Sequence, residues 1–287
     1  MSKVLVTGAN GMLGQDLCPL LEHHGYQVVR TNSTTMDITD FEKAHSVICE
    51  NAPDVVIHCA AYTNVDKAEE DFETAKLVNA TGTENLAKIC AEKDITLVYI
   101  STDYIFDGKK CCAYLPDDTA NPINNYGLTK FLGEEAMKKY CKKYFITRTS
   151  WLYGLHGKNF VETMISLAAK PELKVVNDQT GCPTWTVELS RGILKLLETT
   201  DYGTYHVCGS GNTTWYGFAC EIFNLCNLKV NIKPCTTDEF PRPAKRPQYS
   251  VMDNSNICQD WKIALKEYLQ TRERINSSSV VSVAYFS

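Results

Sequence analysis

No run in the 287-residue sequence is apolar for long enough to cross a bilayer, which takes about 20 such residues. An excess of positive charge is also missing: 29 Lys and Arg stand against 34 Asp and Glu, a net −5. That balance argues against nucleic acid or an anionic membrane as partner. The 13 cysteines form no repeated CxxC framework. They read as reduced thiols, many packed as small hydrophobes, with Cys111-Cys112 expected in an exposed loop. No leader-like stretch precedes the first strand, since Met1-Ser2-Lys3 runs straight into Val4-Leu5-Val6, so a cytoplasmic protein is expected. Internal repeats are absent as well.

A hydrophobic fraction of 44% supplies a sizeable core. Apolar runs at 3–7, 27–30, 54–58, 96–100 and 144–149 read as strands. Longer amphipathic stretches at 12–24, 40–50, 65–92 (broken once) and 125–142 read as helices. Strands separated by helices make βαβ units and a parallel sheet, and continuously apolar strands suit a sheet covered on both faces. The expectation is an α/β, Rossmann-type doubly wound fold. Residues 1–150 would bind a dinucleotide, and 151–272 would form a smaller substrate-binding region that still returns segments to the main sheet. Residues 273–287 are expected to be a flexible tail.

Gly8, Gly11 and Gly14 follow the first strand and open the first helix. The first permits a tight turn, the second a close backbone approach to a pyrophosphate, and the third close helix–strand packing. The helix N-terminus adds free N–H groups and partial positive charge. The second strand ends at Arg30, where an NAD site usually has an acid for the ribose 2′-hydroxyl. Arg30 therefore favours a 2′-phosphate and NADP(H), with NAD(H) still possible; alternatively it is a solvated strand end. Asp37 either accepts from the adenine amine or caps the next helix.

Tyr126 and Lys130 are spaced i, i+4, which puts them side by side on one helix face. A free phenol titrates near 10, and an adjacent ammonium is expected to lower that value towards the range of general acid–base work. Upstream, the strand 96–100 runs into Ser101 and Thr102. Parallel sheets bind ligands at such carboxyl ends, so either hydroxyl can meet a substrate carbonyl beside Tyr126.

Together these phrases resemble the extended short-chain dehydrogenases/reductases. Cys59-Ala-Ala-Tyr-Thr-Asn-Val-Asp66, Ser101-Thr-Asp-Tyr-Ile-Phe-Asp-Gly108, Arg148-Thr-Ser-Trp151 and Arg242-Pro-Ala-Lys-Arg-Pro247 look more narrowly like the dTDP-4-dehydrorhamnose reductase family. The resemblance implies NADPH-dependent reduction at C4 of dTDP-4-dehydro-6-deoxy-L-mannose to dTDP-L-rhamnose, the last step of dTDP-L-rhamnose biosynthesis. It implies Tyr126 as proton donor, Lys130 on Tyr126 and the ribose, and Thr102 on the carbonyl. The cofactor would lie along Gly8, Asn10, Gly11, Met12, Leu13 and Gly14. Arg30, Asp37 and Ile38 would hold its adenosine end. Cys59, Ala60, Ala61, Tyr62, Asn79 and Ser101 would line the remainder of its path. Thr63, Val65, Tyr104 and Trp151 would face the sugar, and Arg242 and Arg246 the diphosphate. Some family members hold magnesium at a dimer contact through clustered C-terminal glutamates. Only Glu267 and Glu273 stand there, so no metal is expected, and monomer and homodimer stay open.

Two other readings compete. One is another nucleotide-sugar reductase or epimerase. A dehydratase is disfavoured because Thr102 is followed by Asp103-Tyr104 rather than Asp-Glu. The other is a non-catalytic regulatory subunit like the β subunit of methionine adenosyltransferase.

Overall fold

The structure is a computed structural model that describes residues 2–277. Its centre is a six-stranded, wholly parallel sheet in the order β2-β1-β3-β4-β5-β10. The strands of the first half are β1 (Lys3–Thr7), β2 (Gln27–Arg30), β3 (Val55–His58), β4 (Thr96–Thr102) and β5 (Tyr144–Thr149). These match the expected runs closely, β4 continuing two residues further to include Ser101 and Thr102. The helices of this half are α1 (Met12–His23), α2 (Phe41–Asn51), α3 (Lys67–Glu70), α4 (Phe72–Lys76), α5 (Gly82–Glu92) and α6 (Asn125–Tyr140).

Both sheet faces are covered, as the apolar strands require. Leu17 and Leu21 of α1 meet Val98 and Phe145 on one face. Ile48 of α2, Ile89 of α5 and Met137 of α6 meet Leu97, Tyr99 and Ile146 on the other. The stretch expected as one helix with a single break is more interrupted. Asp71 separates α3 from α4, and a π-helical turn, Leu77–Thr81, joins α4 to α5. Asn79 sits in that turn, fully buried. Such π-turns are rare and frequently mark functional sites.

In the second half, β6 (Leu152–Tyr153), β7 (Leu173–Val176), β8 (Thr180–Gly181) and β9 (Thr184–Trp185) precede β10 (Gly203–His206), β11 (Thr213–Thr214) and β12 (Ile232–Cys235). The helices there are α7 (Phe160–Leu167), α8 (Thr186–Leu197), α9 (Trp215–Leu225) and α10 (Trp261–Ser277). β10 joins the main sheet beside β5, and Leu189 and Ile193 of α8 pack into the core under α1. The other short strands pair among themselves over a separate core of Tyr153, Phe218, Leu265 and Tyr268. The tail expected from residue 273 is corrected in part, because α10 carries 273–277 as helix; residues 278–287 lie outside the described residues. All 13 cysteines are free thiols, seven of them buried, and Cys111 and Cys112 are exposed. Among the described residues no helix is long and apolar enough to cross a membrane.

Candidate active site

A cleft of about 770 Å³ opens over the carboxyl ends of β1, β3, β4 and β5. Sheet order reverses between β1 and β3, the place where doubly wound sheets bind ligands. The Gly-rich turn forms one end. Gly8 has φ +63°, and a Cβ there would lie 2.7 Å from the Ala60 backbone nitrogen. A Cβ on Gly14 would lie 2.6 Å from backbone atoms of Ala9. The turn is thus pressed against the residues after β3 and against its own helix, and only glycine fits. Gly11 caps α1 without a side-chain hydrogen bond, leaving first-turn N–H groups for an anion. Asn10, Met12 and Leu13 line this end.

The segment after β3 is fixed by a buried chain of hydrogen bonds. Thr83 Oγ1 donates to the Asn79 carbonyl (2.7 Å) and bonds His58 Nε2 (3.1 Å). His58 Nδ1 bonds Thr7 Oγ1 (2.8 Å), which accepts from the Ala60 N–H (3.1 Å). One tautomer satisfies every member: Nε2–H donates to Thr83, and Nδ1 accepts from Thr7. Burial, reinforced by Lys130, pushes His58 down to about 3, so the ring is neutral. The chain aims Cys59, Ala60 and Ala61 at the cleft.

Asn79 is itself a correction. It does not line the cleft: its amide accepts from the Tyr62 N–H (2.8 Å) and donates to the Tyr62 carbonyl (3.0 Å) and to Thr129 Oγ1 (3.0 Å). It therefore positions the 59–62 segment. Tyr62 is likewise absent from the lining.

Arg30 is corrected too. Its guanidinium is held by both carboxylate oxygens of Glu22 on α1, at 2.6 and 2.9 Å, and does not line the cleft. Asn32 and Ser33 do so instead. Asn32 Oδ1 is occupied by the Thr34 and Thr35 amides. The residues just beyond the strand thus present no acid of the kind an NAD site places there. Asp37 lines the cleft with Ile38. It caps no helix, since Asp40 caps α2 by accepting from Lys43 N. Asp37 accepts from the Thr39 amide and hydroxyl, which hold its carboxyl below the usual range.

At the other end, β4 delivers Ser101 and Thr102 and α6 delivers Tyr126 and Lys130. Asn124 accepts from Gly127 N (2.7 Å), capping α6, and donates from Nδ2 to the Lys245 carbonyl (2.7 Å). Glu69 of α3 accepts from Asn125 N (2.8 Å). Tyr126 hydrogen-bonds Thr102, and its ring meets Tyr104 edge-on at 5.8 Å. Burial pushes the Tyr126 phenol up to about 12, with Asp103 adding and the Thr102 bond opposing. The expected lowering by Lys130 is not found, because burial dominates. Lys130, 2% exposed and 4.1 Å from the Tyr99 ring centroid, is pushed down to about 7 by burial, against Glu134 and Cys59.

Thr102 Oγ1 accepts from Tyr104 N (3.2 Å) and donates to Asp103 Oδ1 (3.1 Å), while Ser250 donates to Asp103 Oδ2 (2.6 Å). Burial pushes Asp103 from 3.8 up to about 7, against those hydrogen bonds. An acid raised in this way carries an extra proton in the folded state between those values, so stability falls as pH rises through that window. Asp103→Asn removes the dependence. The variant's Tm relative to the unmutated protein should therefore rise by about 5–10 °C from pH 5 to pH 8. Scanning calorimetry at both pH values checks this, and a constant difference would contradict it.

Thr63, Val65, Tyr104 and Trp151 line the cleft as expected, and Trp215 of α9, unexpected from the sequence, joins them. The two indoles stack at 3.6 Å and 6°. Trp151 takes φ +47° at the corner between β5 and β6, and a Cβ on Gly181 would lie 2.6 Å from its ring. Lys158, Thr149 and Ser150 are further lining residues that the sequence did not reveal. Arg242 and Arg246 do not line the cleft, but Arg246 hydrogen-bonds the lining residue Tyr104. Arg246 Nη1 donates to Asp66 Oδ1 (2.7 Å) and to the Ala244 carbonyl (2.7 Å), and Arg242 stands 4.0 Å from the same carboxylate. Asp66 draws both cations towards α3.

The family described as "RmlD substrate binding domain" matches residues 2–278. A dTDP-4-dehydrorhamnose reductase of Streptomyces griseus is 41% identical over 93% of this chain and 89% of its own length. The chain belongs to the dTDP-4-dehydrorhamnose reductase family. Within that family's reach, a spore coat polysaccharide biosynthesis protein of Bacillus subtilis is also 41% identical, covering 95% of this chain and 98% of its own. A crystal structure of the Bacillus anthracis dTDP-4-dehydrorhamnose reductase in complex with NADP superposes with a TM-score of 0.92 at 41% identity, covering 94% and 99% of the two chains. The family's parallel sheet and flanking helices are those described above.

Proposed function

We propose that this chain reduces the C4 keto group of dTDP-4-dehydro-6-deoxy-L-mannose with NADPH, giving dTDP-L-rhamnose. The observation that carries the reading is the meeting of Thr102, Tyr126 and Lys130 at one end of a cleft whose other end is the Gly-rich turn. The glycine cradle and the uncapped first turn of α1 suit a pyrophosphate, and Asn32 and Ser33 set no negative charge against a 2′-phosphate. Bound NADPH would supply the hydride.

The protein's own part is proton transfer and orientation. A phenol pushed up to about 12 keeps its proton at neutral pH, the state a reduction needs. Tyr126 gives that proton to the keto oxygen as negative charge develops on it. The Lys130 ammonium favours the phenolate left behind. Thr102 holds the oxygen in line with Tyr126. An ionised Asp103 draws the Thr102 proton away from the cleft, whereas a protonated Asp103 leaves it free to donate to substrate. The Trp151–Trp215 stack and Tyr104 give a 6-deoxysugar flat apolar faces with polar edges.

The decisive test follows NADPH oxidation at 340 nm with dTDP-4-dehydro-6-deoxy-L-mannose and identifies the product. Substrate-dependent oxidation yielding dTDP-L-rhamnose is expected. Tight NADPH binding without oxidation would overturn the reading and favour a non-catalytic role.

A further inference from the structure

A buried carboxylate lies one helical turn beyond Lys130, outside the machinery described so far. Tyr126, Lys130 and Glu134 follow each other at i, i+4 and i+8 on α6, which places them along one face. Glu134 is 0% exposed. Arg148 of β5 clamps it bidentately, Nε to Oε1 at 2.9 Å and Nη2 to Oε2 at 2.8 Å. Ser101 of β4, itself in the cleft lining, donates to Oε1 at 2.6 Å. The Arg148 guanidinium also donates to the Pro116 carbonyl at 2.9 Å and lies 5.3 Å from the Phe106 ring centroid. The carboxylate therefore has a fixed orientation.

We propose that Glu134 is a positioning residue for the reduction, acting through Lys130: the carboxylate, pinned by Arg148 one turn further along the α6 face that carries Tyr126 and Lys130, keeps the Lys130 ammonium charged. The inference rests on the reading given under Proposed function.

Every other charged or titratable neighbour does less for that ammonium. From β3 come His58, neutral, and the Cys59 thiol, which burial pushes strongly up. From β4 come Ser101 and the Tyr99 ring. On α6 itself Tyr126 holds its proton, and Asp103 faces Tyr126 rather than Lys130. On the Glu134 side, Arg148 is flanked by His206 of β10 at 3.5 Å, which burial and Arg148 push down to about 4. Glu134 is the largest influence opposing the loss of charge that burial imposes on Lys130.

Removing Glu134 alone would strand a buried guanidinium and endanger the fold, so the test uses the double variant Glu134→Gln/Arg148→Met, which removes both charges. Its alkaline limb of kcat/KM for NADPH-dependent reduction should move down by at least about one pH unit, with activity at pH 6 within about fivefold of the unmutated protein. Glu134→Asp, which retains the charge, should restore the limb. A uniform fall at every pH with an unmoved limb would mean that the pair only supports the fold, and would overturn the proposal. The Lys130 side chain is also titrated by 13C NMR in both proteins, a readout that needs no turnover. If the unmutated chain reduces no nucleotide sugar, the functional reading fails, and a downward shift of the Lys130 titration in the double variant still upholds the Glu134–Lys130 coupling. An unshifted titration overturns that coupling whatever the activity.

Discussion

Tyr126→Phe is expected to lower kcat by about 10²–10⁴-fold, the usual worth of a positioned proton donor, while the Kd for NADPH stays within about threefold. The phenyl ring keeps the edge-on contact with Tyr104, so packing survives. What goes is the hydroxyl bonded to Thr102. The glycine turn at the far end of the cleft is untouched, which separates binding from chemistry. Stopped-flow reduction with fluorescence titration of NADPH measures the two independently. An unchanged kcat would remove Tyr126 from the mechanism. A parallel loss of cofactor affinity would mean instead that it holds the nicotinamide end.

Gly127→Ala should be nearly as damaging, although alanine is the better helix former by about 1 kcal/mol. A Cβ at Gly127 would sit 2.1 Å from the Tyr104 carbonyl oxygen and 2.8 Å from its carbonyl carbon. Both are backbone atoms of the short turn after β4 that carries Asp103, Tyr104 and Ile105, so no flexible side chain can yield. Either α6 or this turn must move by an ångström or so. Displacements of that size cost about 10²-fold in rate, and overpacking of this kind costs about 1–3 kcal/mol. The strain outweighs the propensity gain. We expect kcat/KM to fall about 10²-fold and Tm to drop by several degrees. Wild-type activity with a raised Tm would show that the turn accommodates the methyl group.

Much of this architecture was legible because its causes are local. Residues 3–7 and 144–149 are rich in apolar and β-branched side chains and form inner strands of the sheet, so strand and sequence pattern coincide. Tyr126 and Lys130 could be paired because i, i+4 spacing is fixed by the helix. What stayed hidden depends on partners distant in sequence. The π-turn at 77–81 is bound up with the Asn79 bonds to Tyr62, 17 residues away. Arg148 meets Glu134 only because β5 and α6 pack together. Arg30 looked free for a phosphate because nothing near β2 announces that Glu22 on the preceding helix clamps it. The pairing of Arg246 was hidden for the same reason: Asp66, which holds it, lies about 180 residues upstream. The phenol pKa was misjudged because the sequence shows the neighbouring lysine but not the desolvation that outweighs it.

Asn124 has one consequence for engineering. Its carboxamide caps the helix of Tyr126 with the oxygen and holds the Lys245 carbonyl with the nitrogen. The 242–247 loop and the helix that carries Tyr126 are therefore joined through this side chain. Replacing that loop while leaving residue 124 unmatched would loosen the cap of α6 and disturb Tyr126. An engineered 242–247 loop must therefore be introduced together with a matching residue 124.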